Sequence, residues 1–199
     1  IFTGAGQLFE ILRWDVTARI VAIGFTWHDE LVVVSDDGQV RLYTWLVPTY
    51  QQDTPCLEAT PTSYYHAFSL GDEAAEYGIA RVLIQPRRLW ALLRNGMVVD
   101  ASFSHTDVWP DEAPTLDVHV IPPLCTSKPH LCAWAPNHQQ LLLCTDTGAC
   151  TLEQEHSYAS LPVTQPILGA SYSLQGKYVA WLDEHQQLHV DTADFSRRL

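Results

Sequence analysis

Three short runs, Ile20-Val21-Ala22-Ile23-Gly24-Phe25, Leu31-Val32-Val33-Val34 and Gln39-Val40-Arg41-Leu42-Tyr43, decide the reading of this chain. The breaks between them are Trp27-His28-Asp29-Glu30 and Asp36-Asp37-Gly38. Each run is too short for a stable helix and has a period of two or is continuously apolar, as strands buried on one or both faces are. Asp-Gly is a tight-turn signal, because glycine reaches positive φ at no steric cost. The stretch therefore predicts three antiparallel strands joined by short turns.

The pattern returns three times. Ile79 to Ile84, Leu89 to Leu93 and Met97 to Ala101 are separated by Gln85-Pro86-Arg87-Arg88 and by a turn at Asn95-Gly96. Leu131 to Trp134, Gln140 to Cys144 and Ala149 to Leu152 follow, with a turn at Thr147-Gly148. Ile167 to Tyr172, Lys177 to Leu182 and Gln187 to Val190 form the fourth copy, turning at Glu184-His185-Gln186. Gly4-Ala5-Gly6 with Gln7 to Leu12 resembles the last hairpin arm of a preceding copy. From Gly6 to Gly38 is 32 residues, from Gly38 to Gly96 is 58, from Gly96 to Gly148 is 52 and from Gly148 to Gln186 is 38. Propeller blades repeat at roughly 40–50 residues. The two long intervals hold inserts: Pro48 to Ser63, which reads as a mobile surface loop, Ser104 to Pro114, and Pro122 to Pro129. One helix of at most two turns is predicted over about 70–77. Ser69-Leu70-Gly71-Asp72 would be its capping box and Gly78 its left-handed stop.

A sheet that buries one face must cover it, and blades arranged radially cover one another. The expected fold is all-β: a WD-like β-propeller of about four to five blades, an incomplete set from a larger ring, with residues 1–199 forming its N-terminal portion. An incomplete ring leaves strand edges and an apolar face open, so such a piece alone is expected to aggregate.

Composition narrows the function. The chain has 199 residues, is 47% hydrophobic and carries 23 acidic against 11 basic side chains, a net charge of −12. That balance argues against a phosphate-tracking nucleic-acid binder and against electrostatic binding to anionic lipid. No run of roughly 18 apolar residues suggests a membrane-spanning helix, and no charged and apolar leader is visible at the start. Cys56, Cys125, Cys132, Cys144 and Cys150 include no CxxC pair and read as reduced thiols.

The candidate chemistry is thin. Cys125, His130 and Cys132 lack the paired spacing and the fourth ligand of a zinc site. His185 and His189, four apart across a turn, do not share a helical face. Cys132, Cys144 and Cys150 sit in apolar strands, where cysteine is a small hydrophobe. There is no GxSxG elbow and no phosphate loop. Asp36-Asp37 and Asp146 occupy turns, and the sialidase-type S-x-D-x-G-x-T-W repeat is not matched from Ser35. Trp14-Asp15 is a single WD dipeptide. Trp90, Trp134 and Trp181 lie in or beside apolar runs and read as packing residues. Asp72, Glu73 and Glu76 read as a solvated helix face, and Arg87-Arg88 as an exposed turn pair. No catalytic residue, metal ligand or cofactor-binding residue is assigned, no cofactor is expected, and no partner-binding residue is placed.

The order of segments carries a resemblance. The opening three strands are followed by Phe68-Ser69-Leu70-Gly71-Asp72-Glu73-Ala74, then Val118-His119-Val120-Ile121-Pro122-Pro123, then Ser173-Leu174-Gln175-Gly176-Lys177-Tyr178-Val179-Ala180, then Thr192-Ala193-Asp194-Phe195. In that order they resemble the N-terminal region of the vacuolar protein sorting-associated protein 16 family, over nearly the whole chain. The Pro48–Ser63 insert and the Cys144 to Glu155 stretch depart from the family pattern. The resemblance implies a non-enzymatic core subunit of the HOPS and CORVET tethering complexes, which bridge endosomal, lysosomal or vacuolar membranes before fusion. It implies a following α-solenoid, absent from this sequence, that holds a SNARE-chaperoning subunit. It also implies other tethering subunits as partners, no nucleic acid, and a cytoplasmic protein held on membranes peripherally through its partners. The alternatives are a generic WD-type scaffold of another complex, which partner capture would separate, and a propeller hydrolase, which needs paired carboxylates facing the channel.

Overall fold

The computed structural model describes residues 18–45, 63–104, 114–123, 129–135, 140–152, 157–163 and 165–199. In them, fifteen strands and one short helix form four antiparallel sheets. Blade one is β1 (Ile20–Phe25), β2 (Leu31–Ser35), β3 (Gln39–Trp45) and β4 (Ser63–Ser69). The helix α1 (Asp72–Tyr77) leads into blade two, which is β5 (Ile79–Gln85), β6 (Arg88–Leu93), β7 (Val98–Ser104) and β8 (Thr115–Ile121). Blade three is β9 (Leu131–Ala135), β10 (Gln140–Thr145), β11 (Gly148–Leu152) and β12 (Tyr158–Ser160). Blade four is β13 (Ile167–Tyr172), β14 (Tyr178–Asp183) and β15 (Leu188–Thr192). Strand order follows chain order in every sheet. The first strands of successive blades run side by side, β1 by β5, β5 by β9 and β9 by β13.

Sequence reading found three strands per copy. The additional strands β4, β8 and β12 complete blades one to three. Their burial explains why they were missed. Thr115 to Val120 alternates exposed and half-buried residues, and Tyr158–Ser160 has no fully buried residue. The middle strands are the opposite case: β2 and β11 are buried at every position.

That continuous burial follows from period two between two neighbours. Val32, Val34, Val40 and Leu42 of blade one pack with Leu89, Ala91, Leu93, Val99 and Ala101 of blade two. The alternate residues of blade two, Trp90, Leu92 and Val98, pack with Cys132, Leu141, Leu143 and Cys150 of blade three. The alternate residues of blade three, Ala133, Leu142, Cys144 and Ala149, pack with Ile167, Val179 and Trp181 of blade four. Each inner blade is thus a sheet with two cores.

The hairpin turns share one device. Ser35 and Gln39 flank a three-residue loop, as do Leu93 and Met97, and Asp183 and Gln187. The third loop residue has positive φ in each: Gly38 at 86°, Gly96 at 93° and Gln186 at 60°. Its N–H donates back to the carbonyl of Ser35, Leu93 or Asp183, at 3.1, 3.0 and 3.1 Å respectively. Blade three differs, because Gly148 is paired with Thr145 inside the strand and the loop is only Asp146 and Thr147.

The helix begins at Asp72, with Gly71 at its N-cap and no side-chain cap. The capping box expected from Ser69 does not form, since Ser69 Oγ accepts from Gly71 N at 3.2 Å instead. Gly78 has φ 71° but ψ 158°, so it leaves the helix extended rather than in a left-handed helical turn. Residues 48–62 of the polar insert, Trp14-Asp15, the 4–12 segment, Cys56, Cys125 and residues 105–113 lie outside the described residues.

Candidate functional site

The sequence offered no reacting group, and the described side chains with polar function are engaged as follows. Asp37 Oδ1 accepts from Ser35 Oγ at 2.5 Å and from Gln39 N at 3.2 Å, while Asp36 Oδ1 accepts from Arg19 N at 2.9 Å. Both carboxylates shape the β2–β3 turn. His130 Nε2 donates to the Ile167 carbonyl at 2.8 Å and its Nδ1 lies 3.5 Å from Asp146 Oδ1, so the residue bridges blades three and four. His185 is exposed in its turn, and His189 lies half-buried on β15, so this pair is not brought together on one site. Among the described residues no group of three His, Cys, Asp or Glu is arranged to hold a metal ion.

Cys132, Cys144 and Cys150 are buried free thiols. Burial pushes them up to about 11, 12 and 11, which keeps them protonated at neutral pH. Trp90 and Trp181 are almost fully buried, and half-buried Trp134 packs on the core between blades two and three.

Two networks were not read from the sequence. In blade two, Arg88 donates through Nε to Asp100 Oδ1 at 2.6 Å and through Nη2 to Asp100 Oδ2. Its guanidinium lies 4.3 Å from the Trp90 ring. The exposed turn pair predicted at Arg87-Arg88 is therefore divided: β6 starts at Arg88 and turns that side chain onto the sheet, and only Arg87 faces solvent. In blade four, His189 Nε2 donates to Asp183 Oδ2 at 2.8 Å and its ring lies tilted against Trp181, with ring centroids 4.3 Å apart. Trp181 Nε1 donates to Asp191 Oδ2 at 2.5 Å, and Arg198 Nε lies 3.4 Å from Asp191 Oδ1. The His189 hydrogen bond, with the Gln187 and His185 amides, holds the Asp183 carboxyl below its ordinary range. The one visible clue was a carboxylate at an inward strand position two residues beyond an apolar neighbour, as at Asp100 beyond Val98.

A shallow cleft of about 260 Å³ borders the second network, lined by Pro162, Val163, Gln165, Trp181, Asp191, Phe195 and Arg198. Its Trp181, Asp191 and Arg198 are already bonded to each other, which suits packing rather than chemistry.

The remaining surface features are apolar. On β1 and its turn, Ile23, Phe25 and Trp27 are 69, 59 and 66% exposed. The face of blade four turned away from blade three carries Tyr178, Leu188 and Val190, of which Leu188 is 71% exposed. Arg87 lies 5.6 Å from the Trp27 ring, and Trp27 N donates to the Pro86 carbonyl at 2.8 Å. Trp27 stood in the sequence only as part of a polar break. Its exposure places it on the surface, not in a core.

No family model matches the chain. A probable vacuolar protein sorting-associated protein 16 homolog of Schizosaccharomyces pombe is 29% identical over 209 aligned positions, covering all of this chain and 22% of that protein. The chain thus spans about a fifth of the relative it matches. Among solved structures, the β-propeller domain of Cps50 (Swd1) from Myceliophteria thermophila matches with a TM-score of 0.62 at 10% identity, over 88% of this chain and 54% of that one. Dihydro-heme d1 dehydrogenase NirN, in complex with DHE, matches with a TM-score of 0.62 at 16% identity, over 95% of this chain and 38% of that one. The stacked blades are therefore those of a β-propeller, and over its whole length the chain is similar in sequence to vacuolar protein sorting-associated protein 16.

Proposed function

We propose that this chain is the propeller portion, residues 1–199, of a non-enzymatic scaffold subunit in an endosomal and vacuolar (lysosomal) membrane-tethering complex of the HOPS and CORVET type. The observation that carries the proposal is the whole-length similarity to a vacuolar protein sorting-associated protein 16 homolog. The blade stack supports it physically. Rigid two-sided cores present broad surfaces and leave the loops to choose partners. The buried thiols and the internally bonded carboxylates fit packing roles.

In this reading the protein supports vesicle fusion and intracellular protein transport by assembly alone. Its partners are the other tethering subunits and, through a C-terminal solenoid outside this sequence, a SNARE-chaperoning subunit. It binds no nucleic acid, uses no cofactor, and sits in the cytoplasm, peripheral to endosomal and vacuolar membranes. Among the described residues no helix is long and apolar enough to cross a membrane, which is compatible with attachment through partners.

The test is affinity purification of the tagged full-length protein from its own cells. Co-purification of the tethering subunits in stoichiometric amounts is the expected result. A different set of subunits, or none, overturns the assignment and favours a scaffold of another complex.

A further inference from the structure

Blades one to three each end in an outer fourth strand, whereas the sheet of blade four stops at β15. The chain past β15 has nevertheless turned back along it. Arg198 faces Asp191 as an antiparallel bridge partner. Thr192 N donates to the Arg197 carbonyl and Leu199 N to the Val190 carbonyl, both at 2.9 Å. Hydrogen-bonded pairs on either side of a non-hydrogen-bonded one are the repeat of an antiparallel ladder.

The reversal is held by side chains. Asp194 Oδ1 accepts from the Thr192 hydroxyl at 2.7 Å, from the Ser196 hydroxyl at 2.8 Å and from Ser196 N at 3.1 Å. Arg197 N donates to Thr192 Oγ1 at 3.1 Å, and Phe195 N to the Thr192 carbonyl at 2.8 Å. Phe195 is held at φ 57°, a conformation that persists in a non-glycine residue only where its surroundings over-determine it. Its buried ring belongs to the core between blades three and four. Arg198 then fixes the register, with Nε 3.4 Å from Asp191 Oδ1 and its guanidinium 5.4 Å from the Trp181 ring. A slip of one residue would carry it to the other face of the sheet.

Only part of β15 is used. Leu199 stands opposite Val190, so His189 and Leu188 have no strand beside them on this edge among the described residues. Antiparallel alternation turns the Leu188 N–H and C=O to that edge, as at Val190 and Thr192. An open edge is a template for a further extended segment.

We propose that the β15 edge at Leu188 and His189 is the docking surface for the residues that follow Leu199 in the full-length protein, which complete the fourth strand of blade four in the register set by Arg198. The proposal rests on the reading of this chain as a portion of a longer subunit, since it spans 22% of the relative it matches. Connection selects the occupant. A segment joined to Leu199 and already in register has a far higher effective concentration than a strand of another molecule.

The first experiment is amide hydrogen exchange of the full-length protein, read by mass spectrometry. The Leu188 amide exchanges slowly, as an amide inside a ladder does. Arg198→Ala speeds that exchange about threefold to fivefold, and Arg198→Lys speeds it less. An unprotected Leu188 amide overturns the proposal. So does equal exchange in wild type and Arg198→Ala, or a natural protein whose mass ends at Leu199. The second experiment names the occupant by disulfide trapping in the full-length protein. His189→Cys crosslinks under mild oxidation to a cysteine introduced at the first residue after Leu199, because the two positions form a non-hydrogen-bonded pair on one face. It does not crosslink to a cysteine at the second residue, which lies on the opposite face. Trapping of the second pair overturns the register. Trapping of neither, with the Leu188 amide protected, gives the edge to a second copy, a partner protein or another segment and overturns the proposal. The exchange measurement needs no change at His189, so it decides the matter even where loss of the Asp183 bond unfolds the cysteine variant. Co-purification of tethering subunits is scored separately. If it succeeds while the strand tests fail, the edge is refuted and the scaffold reading stands. If it fails while the strand is trapped, the scaffold reading falls and the strand stands.

Discussion

Asp183 shows how one residue is committed to structure. It lies at the end of β14, its Oδ1 accepting from His185 N at 2.9 Å and Gln187 N at 2.8 Å and its Oδ2 from His189. These donors favour the charged form and lower the carboxyl below its ordinary value. A carboxyl lowered on folding adds stability at pH above its unfolded value, and that contribution is lost as pH falls through the folded value. Acid unfolding of the wild type therefore draws on Asp183 below about pH 4. In Asp183→Asn, stability at neutral pH drops and its acid dependence flattens, as measured by denaturant midpoints at a series of pH values. An unchanged pH slope contradicts the assignment. None of this was legible from the chain, where Asp183 merely closes an apolar run. The partners arrive from positions 185, 187 and 189, and their convergence depends on the three-residue turn between the strands.

At the scale of the hairpin, one turn recurs three times, with glycine twice and glutamine once in its left-handed position. Gly38 and Gly96 meet the requirement without strain, while Gln186 adopts φ 60° with a side chain. Left-handed backbone costs an L-residue roughly 1–2 kcal/mol. Gln186→Gly is expected to stabilise the protein by about 1 kcal/mol or somewhat less, given glycine's greater freedom when unfolded. Gly38→Ala acts in the other direction. The added Cβ meets both the strained φ of 86° and the Ala74 Cβ of α1 at 2.8 Å. A loss of about 1–3 kcal/mol is expected, because α1 cannot retreat freely. Leu70 N and Ile79 N, on either side of it, are bonded to the Gly38 and Asp36 carbonyls at 2.9 and 3.1 Å. Equilibrium denaturation of the two variants checks both signs. The sequence reading used Gln186 as a turn marker by its spacing alone, and its backbone angle explains why that spacing works.

The whole molecule is a stack in which every shared face is apolar and the last face is not covered by another described blade. On blade four, Tyr178, Ala180 and Leu182 pair across strands with Thr192, Val190 and Leu188. Leu188 is largely exposed on that face and Val190 partly so. A contiguous exposed apolar sheet face promotes association. The 199-residue chain expressed alone is expected to self-associate at micromolar concentration, and Leu188→Lys with Val190→Lys to reduce this several-fold in light scattering. Equal scattering from both proteins would remove the face as the cause.

Sequence and tertiary structure divide this protein between them along a physical line. Alternation and turn chemistry are local, since a strand's two faces and a glycine's φ are set by neighbouring residues. Hence the four copies, their twelve principal strands and the propeller class were readable from runs such as Leu31 to Val34 and Leu89 to Leu93. The outer strands β4, β8 and β12 were not, because half-exposed residues such as Thr115 to Val120 carry little hydrophobic signal and form strands by pairing with an edge already present. The division of Arg87 from Arg88 and the Asp183–His189 bond depend on which side chains a folded hairpin sets against each other, and the place of Trp27 beside Pro86 and Arg87 on how one blade packs on the next; only the tertiary structure decides those.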